Sequence, residues 1–289
     1  DNLGDWSSDV CSSDLLCLLF LCHGFPNSLA ASILARQGGS PHPSATEEAL
    51  SWPSQSFKSS PLRPPSMNIT KRGKTEPGYL FLGPRNTELG DDSAVIVSDG
   101  GQLIWQSPSE NVLAFQPQIY EGNPVLTYWN GSLNEGFGWG AISVLDSSYE
   151  EIYQVTLGGN ETFVTVADVD FPSYIDLHEN FITDEDTILV TAVNVTQADL
   201  SSVGGPKDGW IQDGLFYEID IKTNEVLFRW SVFEHDSEVP MSNSYLPLLG
   251  TGTSRTDPYG YSHLNSVAKY GDAYLISSRS EERRVGKEC

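Results

Sequence analysis

Imidazole is the side chain best suited to exchanging protons near neutral pH, and the sequence holds five: His23, His42, His178, His235 and His263. His23 and His42 fall in segments whose composition suits export and linkage. His178 and His263 stand at equivalent places. His178-Glu179-Asn180-Phe181-Ile182 leads into Ile188-Leu189-Val190-Thr191-Ala192, and His263-Leu264-Asn265-Ser266-Val267 leads into Tyr274-Leu275-Ile276-Ser277-Ser278. Rings placed alike in successive units can converge on one anionic ligand, one donating hydrogen bonds while the other exchanges a proton. The alternative, that each ring satisfies a buried turn, stays open at this level.

Other chemistries lack their residues. Gly73-Lys74-Thr75 has Asn68 where the first glycine of a phosphate-cradling loop would stand. His178-Glu179 is followed by Asn180-Phe181-Ile182, so the second zinc-binding histidine of a His-Glu-x-x-His helix is missing. No Gly-x-Ser-x-Gly elbow occurs. Asp184-Glu185-Asp186 suits a solvated turn better than a calcium site. Neither a metal nor a cofactor is expected. With 39 acidic against 16 basic residues the net charge is -23, which repels nucleic-acid phosphates and anionic lipid heads.

The ends read differently from the middle. Residues 1–15 and 279–289 resemble conceptual translations of sequencing adapters and are set aside from fold arguments, together with Cys11 and Cys289. The apolar run Leu15-Leu16-Cys17-Leu18-Leu19-Phe20-Leu21-Cys22 is too short to span a bilayer, which takes about 20 residues. Followed by small residues, it makes 16–32 a signal-peptide remnant, so secretion is expected. Acceptor sequons at Asn68, Asn130, Asn160 and Asn194 agree with a glycoprotein. Residues 33–75 are rich in Pro and Ser and read as a linker and lead-in.

The elements that must position the histidines lie in 76–278. Tyr79–Leu82, Ala94–Val97, Gln102–Trp105, Val125–Trp129 and Ile142–Leu145 are short β-rich runs, and no segment carries a helical period. Val97-Ser98-Asp99, Val144-Leu145-Asp146 and Glu218-Ile219-Asp220 each end a strand in Asp before a tight turn, where the carboxylate would bond turn amides. Such repeated antiparallel units stack radially as a β-propeller. The expected fold is all-β: a partial propeller of about three blades and the start of a fourth, with its largest insertion between 193 and 213. A β-sandwich competes.

Residues 62–278 resemble the fungal branch of the arylsulfotransferases. The matching stretches are Pro64–Thr70, Pro77–Leu82, Pro124–Trp129, Asp176-Leu177-His178-Glu179, Gly204–Trp210, Glu218-Ile219-Asp220 and His263–Val267. The resemblance implies a six-bladed propeller, and transfer of a sulfuryl group from an aryl sulfate ester to a phenolic acceptor without a nucleotide donor. In the bacterial relatives a channel histidine attacks sulfur while other histidines and an arginine stabilise charge. The resemblance makes His178 and His263 the supporting catalytic histidines, Asn265 a substrate-binding neighbour, and Arg279 the arginine, although Arg279 lies in the adapter-like end.

Two departures follow from it. Ser262 stands where an aromatic residue is expected, which would loosen the packing of His263, and the blade bearing the nucleophile is expected beyond residue 278, leaving this chain an inactive fragment. The competing function is a non-catalytic secreted propeller that binds a carbohydrate or protein partner.

Overall fold

The computed structural model describes residues 53–60, 62–84, 93–108, 111–134, 136–159, 162–167 and 169–278. The adapter-like ends, the signal-like segment 16–32, Asn160 and Arg279 lie outside them. The described residues fall into two compact units, divided between Ser107 and Pro108.

In the first unit, the described residues of 53–75 contain no strand beyond an isolated bridge between Ser54 and Pro65. The strands β1 (Tyr79–Leu82), β2 (Val95–Ser98) and β3 (Leu103–Gln106) form an antiparallel sheet. Its β2–β3 turn corrects one expectation. The Ser98 hydroxyl, not the Asp99 carboxylate, accepts the turn amides of Gly100 and Gln102. Asp99 instead accepts from Lys71 Nζ at 2.7 Å and from the Thr75 hydroxyl.

The second unit is built from antiparallel meanders. One runs β4 (Val112–Tyr120), β5 (Asn123–Asn134), β6 (Phe137–Leu145), β7 (Glu151–Val155). The next runs β8 (Ile175–Ile182), β9 (Thr187–Ala198), β10 (Gly209–Asp220), β11 (Val226–Ser231). A hairpin follows, β12 (Leu264–Tyr270) and β13 (Ala273–Ser278). The two meanders share a single backbone pairing, Gly140 with Ile175. Among the described residues there is no α-helix, only short 3-10 turns, and no sheet closes on itself. The class is all-β. At the turns after β6 and β10, Asp146 accepts the amides of Ser148 and Glu150, and Asp220 those of Lys222 and Thr223, as their place before a tight turn predicts.

Side chains alternate across a strand, and in β9 and β10 both faces are apolar because both are covered. Ile188, Val190 and Ala192, with Leu215, Tyr217 and Ile219, join the core shared with the first meander, where Trp129 and Ile142 are fully buried. Leu189 and Phe216 face the other way and pack on Leu264 and Val267 of β12. The 193–213 stretch is not an inserted loop: β9 and β10 remain paired from Ala198 with Gly209 to Thr187 with Asp220, leaving only residues 199–208 between them. The longer excursion joins β11 to β12 through residues 232–263.

Candidate active site

β8 and β9 lose register between Ile175 and Asn180: Ile175 pairs with Ala192, but Asn180 pairs with Val190. Three surplus residues are thus accommodated in the 176–179 stretch, and the bulge turns side chains out of the regular ladder. Its upstream end is pinned by Trp129, whose Nε1–H donates to the Ile175 carbonyl at 2.8 Å. Its downstream end is pinned by Asn180, which has no exposed surface.

Asn180 is the hub of an amide network. Its Oδ1 accepts from the Thr127 hydroxyl at 2.5 Å and from Gln118 Nε2 at 3.1 Å, its Nδ2 donates to the Ala114 carbonyl, and its own carbonyl accepts from Gln116 and Gln118. The first strand of one meander is thereby stitched to the first strand of the next.

Within the bulge, Asp176 is fully buried. Its Oδ1 accepts the Gly138 N–H at 2.9 Å, and its Oδ2 lies 2.5 Å from His178 Nδ1 and 3.4 Å from the donating Thr191 hydroxyl. The opposite edge of the His178 ring meets His263: the two Nε2 atoms are 3.3 Å apart and the ring planes are inclined at 81°. The structure therefore brings together the two histidines that the sequence places at equivalent points of successive units.

Phe137 seats both rings, its centroid 4.4 Å from that of His263 and 5.7 Å from that of His178. The absence of an aromatic residue at 262 thus does not leave His263 unpacked; a different strand, β6, supplies the ring. Ser262 is buried, and its hydroxyl accepts the N–H of Gly214. No larger side chain fits at Gly214, where a Cβ would lie 2.9 Å from Leu264 Cβ. Asn265 is half-buried in a second register shift, between Leu264 and Ser266 of β12. Bulges therefore flank both histidines.

Glu179 follows His178. Burial raises its carboxyl to about 7, against the lowering effect of backbone N–H bonds from Asn180 and Val267 and of His178. It ties β8 to β12 beside the ring pair. A second tie is Glu218, whose Oε1 accepts from Thr187 at 2.6 Å and from Lys269 at 2.9 Å, with Tyr274 donating to Oε2. His235 is elsewhere, with Nδ1 2.8 Å from the Ser231 carbonyl and its ring stacked on Trp230.

The remaining expected sites are scattered. Asn68 is exposed, whereas Asn130 and Asn194 are half-buried within β5 and β9, and Asn194 Oδ1 accepts the Val164 N–H. Asp184 and Glu185 form the exposed β8–β9 turn, and Asp186 accepts the amide of Glu121. Among the described residues no group of three His, Cys, Asp or Glu could hold a metal, and no helix is long and apolar enough to cross a membrane.

Sequence reasoning quoted Asp176 and Asn180 without giving them a role, and missed Phe137. Residues two apart on a strand share a face, so the Asp-x-His spacing was the available signal for Asp176. Phe137 carried none, because it reaches the rings from a separate strand. A family model described as arylsulfotransferase (ASST) matches residues 116–283, more than half of the chain and including both histidines. No curated protein and no solved structure matches.

Proposed function

The chain belongs to the arylsulfotransferase family, and on that premise we propose that its fold serves the transfer of a sulfuryl group from an aryl sulfate ester to a phenolic acceptor, with His178 and His263 as the groups that receive the sulfate oxygens. The observation that carries this reading is the meeting of the two Nε2 atoms at 3.3 Å over Phe137. Ring nitrogens converging on one point, once they donate, favour a group that gains negative charge on its oxygens as the S–O bond to the aryl group breaks. The aromatic ring of Phe137 offers apolar surface of the kind an aryl ring packs against.

In this reading the meanders are neighbouring blades of a propeller, with β4, β8 and β12 innermost. Transfer proceeds through a sulfuryl group held covalently on a histidine, in the manner of the family. His178 and His263 keep the supporting roles that the resemblance implies, and the nucleophile is a different histidine. The short apolar run of 15–22, heading the signal-like segment 16–32, and the exposed Asn68 sequon support export of the protein as a glycoprotein.

The test is a titration of the full chain with 4-nitrophenyl sulfate, followed through the imidazole proton resonances of His178 and His263. Saturable shifts of both, with none from uncharged 4-nitrophenol, are expected. Loss of nitrophenyl sulfate binding in His178→Ala and in His263→Ala is the second expected result. Full retention of binding in either variant, or an absence of shifts in the unaltered chain, would overturn the proposal and leave the binding of a carbohydrate or protein partner as the reading to pursue.

A further inference from the structure

The site described above leaves one group unexplained by sulfate binding alone, a carboxylate buried behind a ring that is meant to meet an anion. An ionised carboxylate only accepts hydrogen bonds, whereas a neutral imidazole carries a hydrogen on one of its two nitrogens. Asp176 already accepts from Gly138 N–H and from the Thr191 hydroxyl, so the 2.5 Å approach of His178 Nδ1 requires the ring hydrogen on that atom. In the neutral ring, His178 Nε2 then carries the lone pair, facing His263 Nε2 across 3.3 Å. Two lone pairs would repel at that distance and two N–H groups would clash, so one hydrogen stands between them, on His263 Nε2.

We propose that Asp176 is a positioning residue that fixes His178 in its Nδ1–H form, and that an anion entering between the rings takes up one proton at His178 Nε2. The hydrogen count follows from the arrangement. With an anion oxygen facing both rings, His263 already presents Nε2–H. His178 keeps its Nδ1–H for Asp176 and presents a donor at Nε2 only by becoming imidazolium, with Asp176 compensating the new charge.

Among the described residues, the charged or titratable groups shown facing the pair on these elements are Asp176 and Glu179 of β8. The contacts from β6 and β9, through Phe137, Gly138 and Thr191, are neutral. This inference rests on the proposed function for the identity of the anion, but not for the state of the empty pair.

Two measurements on the full chain separate the two ideas. Nitrogen-15 spectra of the histidine rings, assigned with single His→Gln variants, report the ligand-free state. A hydrogen on Nδ1 of His178 and on Nε2 of His263 is expected, and the reverse assignment at His178 overturns the inference whatever the chain binds.

Calorimetric titration with 4-nitrophenyl sulfate at about pH 8.5, where Glu179 is ionised, in buffers of different ionisation enthalpy should show uptake of about one proton per sulfate bound. Binding without proton uptake sinks the inference and spares the sulfotransferase reading. No binding, with the expected ring hydrogens in place, does the opposite. In Asp176→Asn the ring hydrogen of His178 should move and the affinity at that pH should fall about tenfold or more. An Asn variant that folds with both unchanged would overturn the inference. If that variant fails to fold, the spectrum of the unaltered chain still decides.

Discussion

The indole nitrogen of Trp129 donates to the carbonyl of Ile175, the residue that, among the described residues, also makes the one strand pairing between the two meanders. The ring fits because Gly131, Gly138 and Gly140 leave it space. A Cβ on Gly140 would lie 2.3 Å from the Asn130 carbonyl oxygen and 2.7 Å from the indole. Trp129→Phe should cost about 1–3 kcal/mol, since the buried Ile175 carbonyl loses its donor. Gly140→Ala should cost about as much or more through overpacking. Urea midpoints compare the two, and a neutral Gly140→Ala would show that the strands separate at no cost.

Asn180→Ala should be among the most destabilising polar truncations in the protein. It removes the acceptor of Thr127 and Gln118 and the donor to Ala114 in one step, the bond to Thr127 being fully buried. A loss of about 2–4 kcal/mol is expected from stranding several buried groups. A change below half a kilocalorie, roughly the scale of an exposed site, would mean that β4 and β8 are held by their apolar contacts alone.

Stability should carry a pH signature from two carboxyls. Burial raises Glu179 to about 7, and burial raises Asp213 to about 6 despite its bonds to Ser231 and Phe233. Both values lie above those of the unfolded chain, so folding favours the protonated forms. Their contributions are complete below the unfolded values and are lost as the pH climbs through about 6 for Asp213 and about 7 for Glu179. Glu179→Gln, which cannot ionise, should therefore gain on the unaltered protein between about pH 5 and pH 8. A difference in denaturation midpoint that does not vary with pH would contradict this.

Glu218 behaves in the opposite sense. Burial raises its carboxyl, but hydrogen bonds from Thr187, Tyr274 and Lys269 together outweigh that and hold it below the ordinary range. Its contribution is present above the unfolded value and fades as the pH drops through the folded one. Lys269→Met should lower the thermal midpoint at pH 7 by leaving the buried carboxylate without its cation. The deficit should narrow in acid, and an equal deficit at both pH values would argue for lost packing instead.

Much of the fold was legible before any coordinates. Short β-rich runs, Asp146 and Asp220 before their turns, and the echo of His178 in His263 all rest on local patterns that survive in the folded chain. The register shift in β8 was not legible. Asp176, His178 and Asn180 alternate along the sequence as they would in a regular strand, so nothing in it marks the surplus residues. The 193–213 stretch misled for a related reason: Asn194, Thr196 and Gln197 interrupt the apolar run, yet β9 continues because β10 pairs with it throughout. At the first turn Ser98 took the part expected of Asp99, since a hydroxyl serves turn amides as well and the carboxylate found Lys71.

The lone rung between Gly140 and Ile175 has a mechanical meaning. Load applied across that seam meets one pair of main-chain groups and a few side-chain stitches, whereas load within either sheet meets whole ladders. Pulled apart, the molecule should yield there first, as two leaves of a hinge whose pin is the Trp129 indole, and Asp176, with one anchor on each leaf, would let go of Gly138 at the same moment.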